Sequence, residues 1–300
     1  GGSDQSGTVQ GPIKVTIEET GCDPLTIDNL YLGGNQAAYS IYAYKNTGTE
    51  DAPVLVARTK AEYEAMSAED KAAEHLPYSD PVLNVVSCTR IGKTSGEDLG
   101  GAFGGGLGSG AVMYGNPTVN INMIPGKYAK DIDRDGTPGA DNDATALGII
   151  RNVYGGGEQA NVEGNTQVNI GTATTVTVRT SMGAAVTNEP TAVQGALITE
   201  NVFGAGKGKN DNIESAFVTG NTEVNICTAD YSAVAGLKGI SIAKSVYGGG
   251  QLSQVGGNTN ITVGGGTIGT SGLGGATYGN IYGGGFGHNA NVRFGLVKDS

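Results

Sequence analysis

Asn152-Val153-Tyr154-Gly155-Gly156-Gly157, followed by Gly164-Asn165-Thr166-Gln167-Val168-Asn169-Ile170, decides the fold, because both modules recur. The first returns as Asn201-Val202-Phe203-Gly204-Ala205-Gly206, as Ser245-Val246-Tyr247-Gly248-Gly249-Gly250 and as Asn280-Ile281-Tyr282-Gly283-Gly284-Gly285. Phe103-Gly104-Gly105-Gly106 is an earlier copy, and Asn29-Leu30-Tyr31-Leu32-Gly33-Gly34 a degenerate first one. The second module, Gly-Asn-x-x-Val-x-Ile, also occurs at Gly115-Asn116 with Val119 and Ile121 and at Gly220-Asn221 with Val224 and Ile226. Gly257-Asn258 with Ile261 and Val263 is its last copy. From Phe103 to Tyr282 the aromatics lie 51, 49, 44 and 35 residues apart. Fixed modules at a variable period mean constant strands joined by loops of different length, and such periods indicate a solenoid, a propeller or an array.

Val-x-Ile with a polar residue between alternates at period two, as a half-buried strand does. Its β-branched residues favour that conformation. Gly-Asn tolerates positive φ and is expected to turn the chain before each strand. The three glycines after the aromatic either turn sharply or admit close backbone approach. One unit cannot bury its apolar face alone, but stacked copies build a continuous core. The fold expected is all-β, a right-handed parallel β-helix or solenoid. A β-propeller is the alternative, and the 35-residue unit is short for a four-stranded blade. Ile13, Val15 and Ile17 alternate as a further strand. A short helical insertion is expected over residues 59–76, with Thr59 and Glu62 as a capping box and Pro77 as the stop. Residues 1–98 then form an N-terminal capping region and 99–300 the glycine-rich repeats, within one continuous domain.

Composition excludes several functions. Asp and Glu number 29 against 18 Lys and Arg, a net charge of −11, which repels phosphate backbones and anionic lipid. No nucleic-acid partner is expected. No apolar run reaches the length of a bilayer span, so the expected relation to a membrane is anchoring and not spanning. Glycine does not recur at every third position, which excludes collagen. Cys22, Cys88 and Cys227 show no paired spacing, so neither a disulfide framework nor a zinc site follows. Pairing of Cys22 with Cys88 stays open beside the plainer reading of three partly buried thiols. The polar start, Gly1 to Gly7, lacks a signal peptide, and the chain stops soon after a fresh Tyr-Gly-Gly-Gly. A natural chain extending beyond residues 1 and 300 is expected, or a minimal end at Leu296 to Ser300.

Over about Leu99 to Val292 the paired modules resemble the large glycine-rich, adhesin-like surface proteins of gut Bacteroidetes. The resemblance implies a β-solenoid that is secreted or anchored to the outer membrane, with a role in cell adhesion. It implies no catalytic residues. The first residues also resemble the linker that follows a lipoprotein cysteine, although no such cysteine stands in this sequence.

One segment suggests a metal. Asp131-Ile132-Asp133-Arg134-Asp135-Gly136 places carboxylates at positions 1, 3 and 5 and glycine at 6, the oxygen-rich bend that Ca²⁺ prefers. Thr137 would add its carbonyl. Asn142 stands where a bidentate carboxylate belongs, with Asp141 and Asp143 beside it as shifted closing ligands. No helix pair flanks the loop, and a solvated acidic loop is the alternative.

Asn120, Asn169 and Asn225 occupy the polar middle of successive Val-x-Ile strands, with Thr262 in the fourth. Strands in register would align them. An amide ladder between strands is the favoured reading, and a polar face that contacts glycan or protein is the functional one. Tyr154, Phe203, Tyr247 and Tyr282 sit so strictly beside Val and Gly that packing between repeats is expected over stacking on sugars. Gly204 to Lys209 lacks phosphate-loop spacing, and the G-x-G-x-x-G at Gly264 to Gly269 lacks a following helix. Only His75 and His288 are present, without a nucleophile elbow or metal-binding pair. No catalytic residue is assigned, although stacking could bring Asp211, Glu214 and Glu223 to one face.

The function expected is a non-enzymatic, extracellular, adhesin-like or structural binding module on a bacterial cell surface. Its partner would be a glycan or a host or bacterial surface protein, and its loops, such as Thr172 to Gly195 and Lys207 to Ala216, would carry specificity. The alternative is a polysaccharide lyase or hydrolase on a β-helix scaffold, by fold analogy alone. A threonine face at Thr172, Thr174, Thr175 and Thr177 suggests a weaker third idea, ice or surface binding.

Overall fold

The computed structural model describes residues 3–6, 9, 13–20, 24–40, 44–58, 61–62, 65–67, 69–70, 80–126, 147–179, 188–210, 212, 214–237, 239–269 and 279–287. These are almost entirely β, with parallel sheets and very little helix. The first sheet takes Lys14–Ile17, Val82–Val85, Thr118–Ile121, Thr166–Ile170, Thr222–Ile226 and Thr259–Val263, in chain order. The second takes Thr26–Ile27, Arg90–Ile91, Ile149–Ile150, Gly195–Ile198, Gly239–Ile242 and Thr267–Ile268. The third takes Asn29–Tyr31, Gly101–Phe103, Asn152–Tyr154, Val202–Phe203, Val246–Tyr247 and Ile281–Tyr282. Six successive segments thus contribute one strand each to all three sheets, and every pairing within them is parallel. A shorter column runs through Tyr39–Ser40, Met113–Tyr114 and Val162–Glu163, and continues as single bridges through Val218 and Val255.

The core follows from the register. Val119 lies opposite Val168, Val168 opposite Val224 and Val224 opposite Ile261, while Ile121, Ile170, Ile226 and Val263 form the next inward row. The inner members from Leu83 to Ile226 are all but inaccessible. Ile91, Ile150, Ile198 and Ile242 supply the wall of the second sheet, and Val153, Val202 and Val246 that of the third. Short aliphatic side chains suffice because each needs to span only to the neighbouring sheet, about 10 Å away. The sheets run unbroken across residues 98 and 99, and the degenerate copy at Asn29 to Gly34 occupies the same columns as the later ones.

The glycines serve close approach. A Cβ on Gly104, Gly155, Gly204 or Gly248 would lie 2.1–2.5 Å from the carbonyl oxygen of the corresponding glycine in the next repeat. That carbonyl also accepts a threonine hydroxyl: Thr166 Oγ1 donates to Gly204 at 2.6 Å, and Thr222 to Gly248 at 2.5 Å. The Gly-Asn corners depart from the expectation of positive φ, since only Gly115 approaches it, at an almost extended 156°. The asparagine makes the corner instead. Asn116 Oδ1 accepts the Asn165 amide N–H at 2.8 Å, Asn165 accepts that of Asn221 at 2.8 Å, and Asn221 that of Asn258 at 2.7 Å.

Two antiparallel hairpins leave the sheets, Tyr44–Asn46 with Leu55–Ala57 and Thr175–Arg179 with Asn188–Ala192. Thr175 and Thr177 pair within the second hairpin, so these threonines form no column between repeats. Within residues 59–76, only 61–62 and 69–70 are described as helical, and Ser67 Oγ caps the latter by accepting from the Asp70 N–H at 3.0 Å. Thr59, Pro77 and the rest of the expected helix lie outside the described residues. Cys88 is a free, buried thiol whose pKa is raised by burial and by the nearby Glu19, and Cys227 is also free. Cys22 lies outside the described residues.

Adjacent glycines separate the two demands on this backbone. Gly155→Ala forces a Cβ against a carbonyl and is expected to cost about 3 kcal/mol, the upper range for overpacking. Gly156→Ala is expected to cost less, about 1–2 kcal/mol, because its Cβ would meet the Gly206 backbone at 2.8 Å in place of a carbonyl oxygen at 2.1 Å, and Ala205 already occupies the equivalent place in the next repeat. Urea unfolding of the two variants measures the contrast, and equal losses would refute it.

Candidate functional site

The aromatic that opens each glycine triplet points away from the aliphatic core and stacks on its counterparts. Ring centroids from Tyr31 through Phe103, Tyr154, Phe203 and Tyr247 to Tyr282 are 4.5–5.0 Å apart, and the interplanar angles from Phe103 onward are 12° or less. Parallel pairing sets that interval. Phe103, Tyr154 and Phe203 are fully buried, whereas Tyr282 is 40% exposed at the end of the column.

The residue after each triplet forms another column: Leu107, Glu158, Lys207, Gln251 and Phe286 are joined by parallel bridges. Here the side chains differ, and chemistry collects. Lys207 Nζ donates to Glu158 Oε1 at 2.9 Å and to Asp98 Oδ2 at 2.7 Å. The Tyr31 hydroxyl donates to Glu158 Oε2, and Tyr154 OH to Gln251 Oε1 at 2.6 Å. One layer on, Lys244 is ion-paired with Glu200.

Asp98 arrives on a loop held from beneath. Arg151 donates Nε to the Lys93 carbonyl at 3.0 Å, and Lys93 N–H bonds the Leu99 carbonyl at 2.7 Å. Gly92 makes the bend at φ 110°, and a Cβ there would strike the Arg151 side chain. Between this loop and the ring column lies a cavity of about 380 Å³ lined by Glu97, Asp98, Tyr154, Glu200, Lys244, Tyr247, Gln251 and Phe286, among others. A shallower groove of about 280 Å³ follows the Asn116, Asn165 and Asn221 corners.

Burial opposes ionisation of Asp98, but the Lys207 ammonium and the Gly100 N–H outweigh it and hold the carboxyl below its usual 3.8. Burial likewise opposes the charge on Lys207, and Asp98 with Glu158 reverses this and raises its pKa above 10.5. The Tyr31 phenol is raised by burial, then by Glu158 and Asp98, and Tyr154 by burial, then by Asp98, Glu158 and Glu200. Each of these shifts moves its group away from neutrality, whereas proton transfer works best with a group tuned toward it. The cluster holds fixed charges and fixed donors.

Asn120, Asn169 and Asn225 come together as a ladder. Asn225 Nδ2 donates to Asn169 Oδ1 at 3.0 Å, Asn169 to Asn120 at 2.9 Å and Asn120 to Asn84 at 3.0 Å. Thr262 lies opposite Asn225 and ends the amides. Lys207, read within a failed phosphate motif, is the centre of the charged cluster. Glu223 accepts from Asn225 Nδ2 at 2.8 Å, and Glu214 lies exposed in a separate loop. Asp131, Asp133, Asp135, Thr137, Asp141 and Asp143 lie outside the described residues, as do His75, His288 and Asp211. Among the described residues no group of three or more His, Cys, Asp or Glu side chains is arranged to hold a metal.

The Lys207 cluster was missed in the sequence, although aligning the repeats on their glycines brings Glu158, Lys207, Gln251 and Phe286 to one position. Asp98 gave no such signal, since it belongs to a loop that the three following repeats lack. No family of known proteins, no curated protein and no solved structure matches the chain.

The ion pairs set a pH dependence. With its folded pKa depressed, Asp98 adds stability that is present above 3.8 and is lost as pH falls through the lower folded value. Lys207, with its pKa raised, adds stability present below 10.5 and lost as pH rises through the higher folded value. In Lys207→Met the Asp98 titration midpoint, followed by carboxyl NMR, is expected to rise. The variant's stability deficit should be largest at neutral pH and shrink in acid. An unmoved midpoint would mean that Lys207 does not set the Asp98 charge.

Proposed function

We propose that this chain is a non-enzymatic, extracellular binding module of the adhesin-like kind, built as a right-handed parallel β-solenoid and displayed on a bacterial cell surface. Strand pairing between successive repeats supports the solenoid, since a propeller blade closes its hydrogen bonds within one repeat. The glycine-rich modules, with their likeness to Bacteroidetes surface proteins, support the location. Anchoring to the outer membrane, outside the repeats, would leave the stacked strands as a rigid stalk. Its partner is a glycan or a surface protein. The acidic segment at residues 131–143 would take Ca²⁺ and so order a loop at the side of the stack.

The observation that carries the non-enzymatic reading is the charged cluster. Lys207 is shared by Asp98 and Glu158, and the shifted groups around it are poised to stay as they are at neutral pH. A second reading, a polysaccharide lyase or hydrolase on the same scaffold, draws on Glu97, Asp98 and Glu200 lining one cavity with Lys244, and on the Lys207–Glu158 pair that adjoins Asp98. Glycoside hydrolysis would need a carboxyl whose pKa is raised.

The test is a panel of mucin glycans, dietary and bacterial polysaccharides and matrix proteins, offered to the purified chain in calcium and in chelator, with every hit checked for breakdown. The expected outcome is retention of an intact ligand, weakened by chelator. Release of shortened oligosaccharides would replace the binding reading with the enzymatic one.

A further inference from the structure

We propose that the cavity between the 96–99 loop and the ring column is a saccharide subsite, taking a neutral, hydroxyl-rich sugar whose C–H face rests on Phe286 and whose hydroxyls bond to Glu97, Glu200 and Gln251. The inference rests on the binding-module reading and gives it an address and a ligand class.

Size comes first. A cavity of about 380 Å³ lies within the range that encloses small ligands. The character of the walls comes next. Phe286 is 45% exposed and forms a T-shaped pair with Tyr247, with centroids 5.6 Å apart and planes at 74°. It belongs to the column that follows the glycine triplets and stands beside the ring stack, with nearly half of its surface open. Backbone bonds fix it on both sides: its N–H donates to the Gly250 carbonyl at 2.9 Å, and its carbonyl accepts from Leu252 at 2.9 Å. A rigid aromatic wall contacts the apolar face of a sugar at little conformational cost.

The polar groups select hydroxyls. Glu97 is exposed on the loop. Glu200 pairs with Lys244 through Oε2 and lines the cavity as an acceptor. Gln251 lines the cavity and accepts from Tyr154 through Oε1, which fixes the amide and leaves its Nε2 as the group that donates. Two carboxylate acceptors and an amide donor, set against an aromatic wall, match the alternation of hydroxyl edge and C–H face that a pyranose presents.

Charge narrows the class. Glu97, Asp98 and Glu200 line the cavity, Lys207 balances Asp98 and Lys244 balances Glu200, so Glu97 is left in excess, and the chain as a whole carries −11. Uronic acids and sulfated sugars would meet that excess as repulsion. Neutral oligosaccharides avoid it.

The test uses the full chain and calorimetric titration with neutral β-linked gluco- and galacto-oligosaccharides, with oligogalacturonate as the anionic comparison. Phe286→Ala and Glu97→Gln alter exposed residues, and matching circular dichroism and melting temperature establish that both remain folded. The expected result is binding of a neutral oligosaccharide, weakened about tenfold by each variant, the weight of one aromatic contact or one charged hydrogen bond. Oligogalacturonate should not bind. Unchanged affinity in both variants would overturn the subsite. If Asn169→Leu then abolished binding, the sugar would belong to the amide ladder, and the binding-module reading would stand without this site. Failure of every neutral oligosaccharide while a matrix protein is retained would also overturn the subsite alone. Failure of the whole panel would remove both readings.

Discussion

Parallel strands pair at about 4.8 Å, and this interval governs every other choice in the molecule. Aromatic rings placed one per repeat stack within 4.5–5.0 Å of each other, and amides placed one per repeat reach their neighbours at 2.9–3.0 Å. The same interval leaves no room for a Cβ where two glycine carbonyls pass. Rings, amides and glycines are therefore three consequences of one distance. Side chains that can profit from repetition at that spacing recur, and those that would obstruct it are absent.

This economy also explains where variation is admitted. A residue that faces inward must fit the same slot in every layer, so valine and isoleucine recur. The residue after each glycine triplet lies outside both the core and the ring stack, and its identity runs through Leu107, Glu158, Lys207, Gln251 and Phe286. Regular backbone thus presents irregular chemistry. The ion pairs between Lys207, Glu158 and Asp98 join three different segments, so the loop bearing Asp98 is tied to the stack by charge as well as by the Arg151 bonds.

What could be read beforehand was what repeats. Val168 and Ile170 announced a strand by alternation, Tyr154 and Phe203 announced packing between copies, and Asn120, Asn169 and Asn225 announced a ladder. The earliest strands were harder to read, because Val82–Val85 follows Ser79-Asp80-Pro81 and lacks the Gly-Asn signature. Asp80 takes the corner role with its carboxylate, accepting the Asn116 N–H at 3.0 Å, and Asn84 extends the amide ladder unannounced. The corners were misjudged for a physical reason: glycine there relieves contact between backbones, and the turn is held by a side-chain oxygen in place of an unusual dihedral. The cavity left no trace, since a loop that the neighbouring repeats lack and a variable column build it.

The ladders have a direction. Each amide donates toward the preceding layer, from Asn225 to Asn169 to Asn120 to Asn84, so the interfaces between layers resemble links in series under tension. The last link is the thinnest. Thr262 offers no amide, Ser245 reaches the Asn280 N–H at 3.4 Å where the asparagines before it bond at 3.1 Å, and Tyr282 covers only one side of its neighbour. A pull along the stack would open this interface before the interior ones and leave the interior layers in register. Such a stack yields to load one interface at a time, holding its grip while it lengthens.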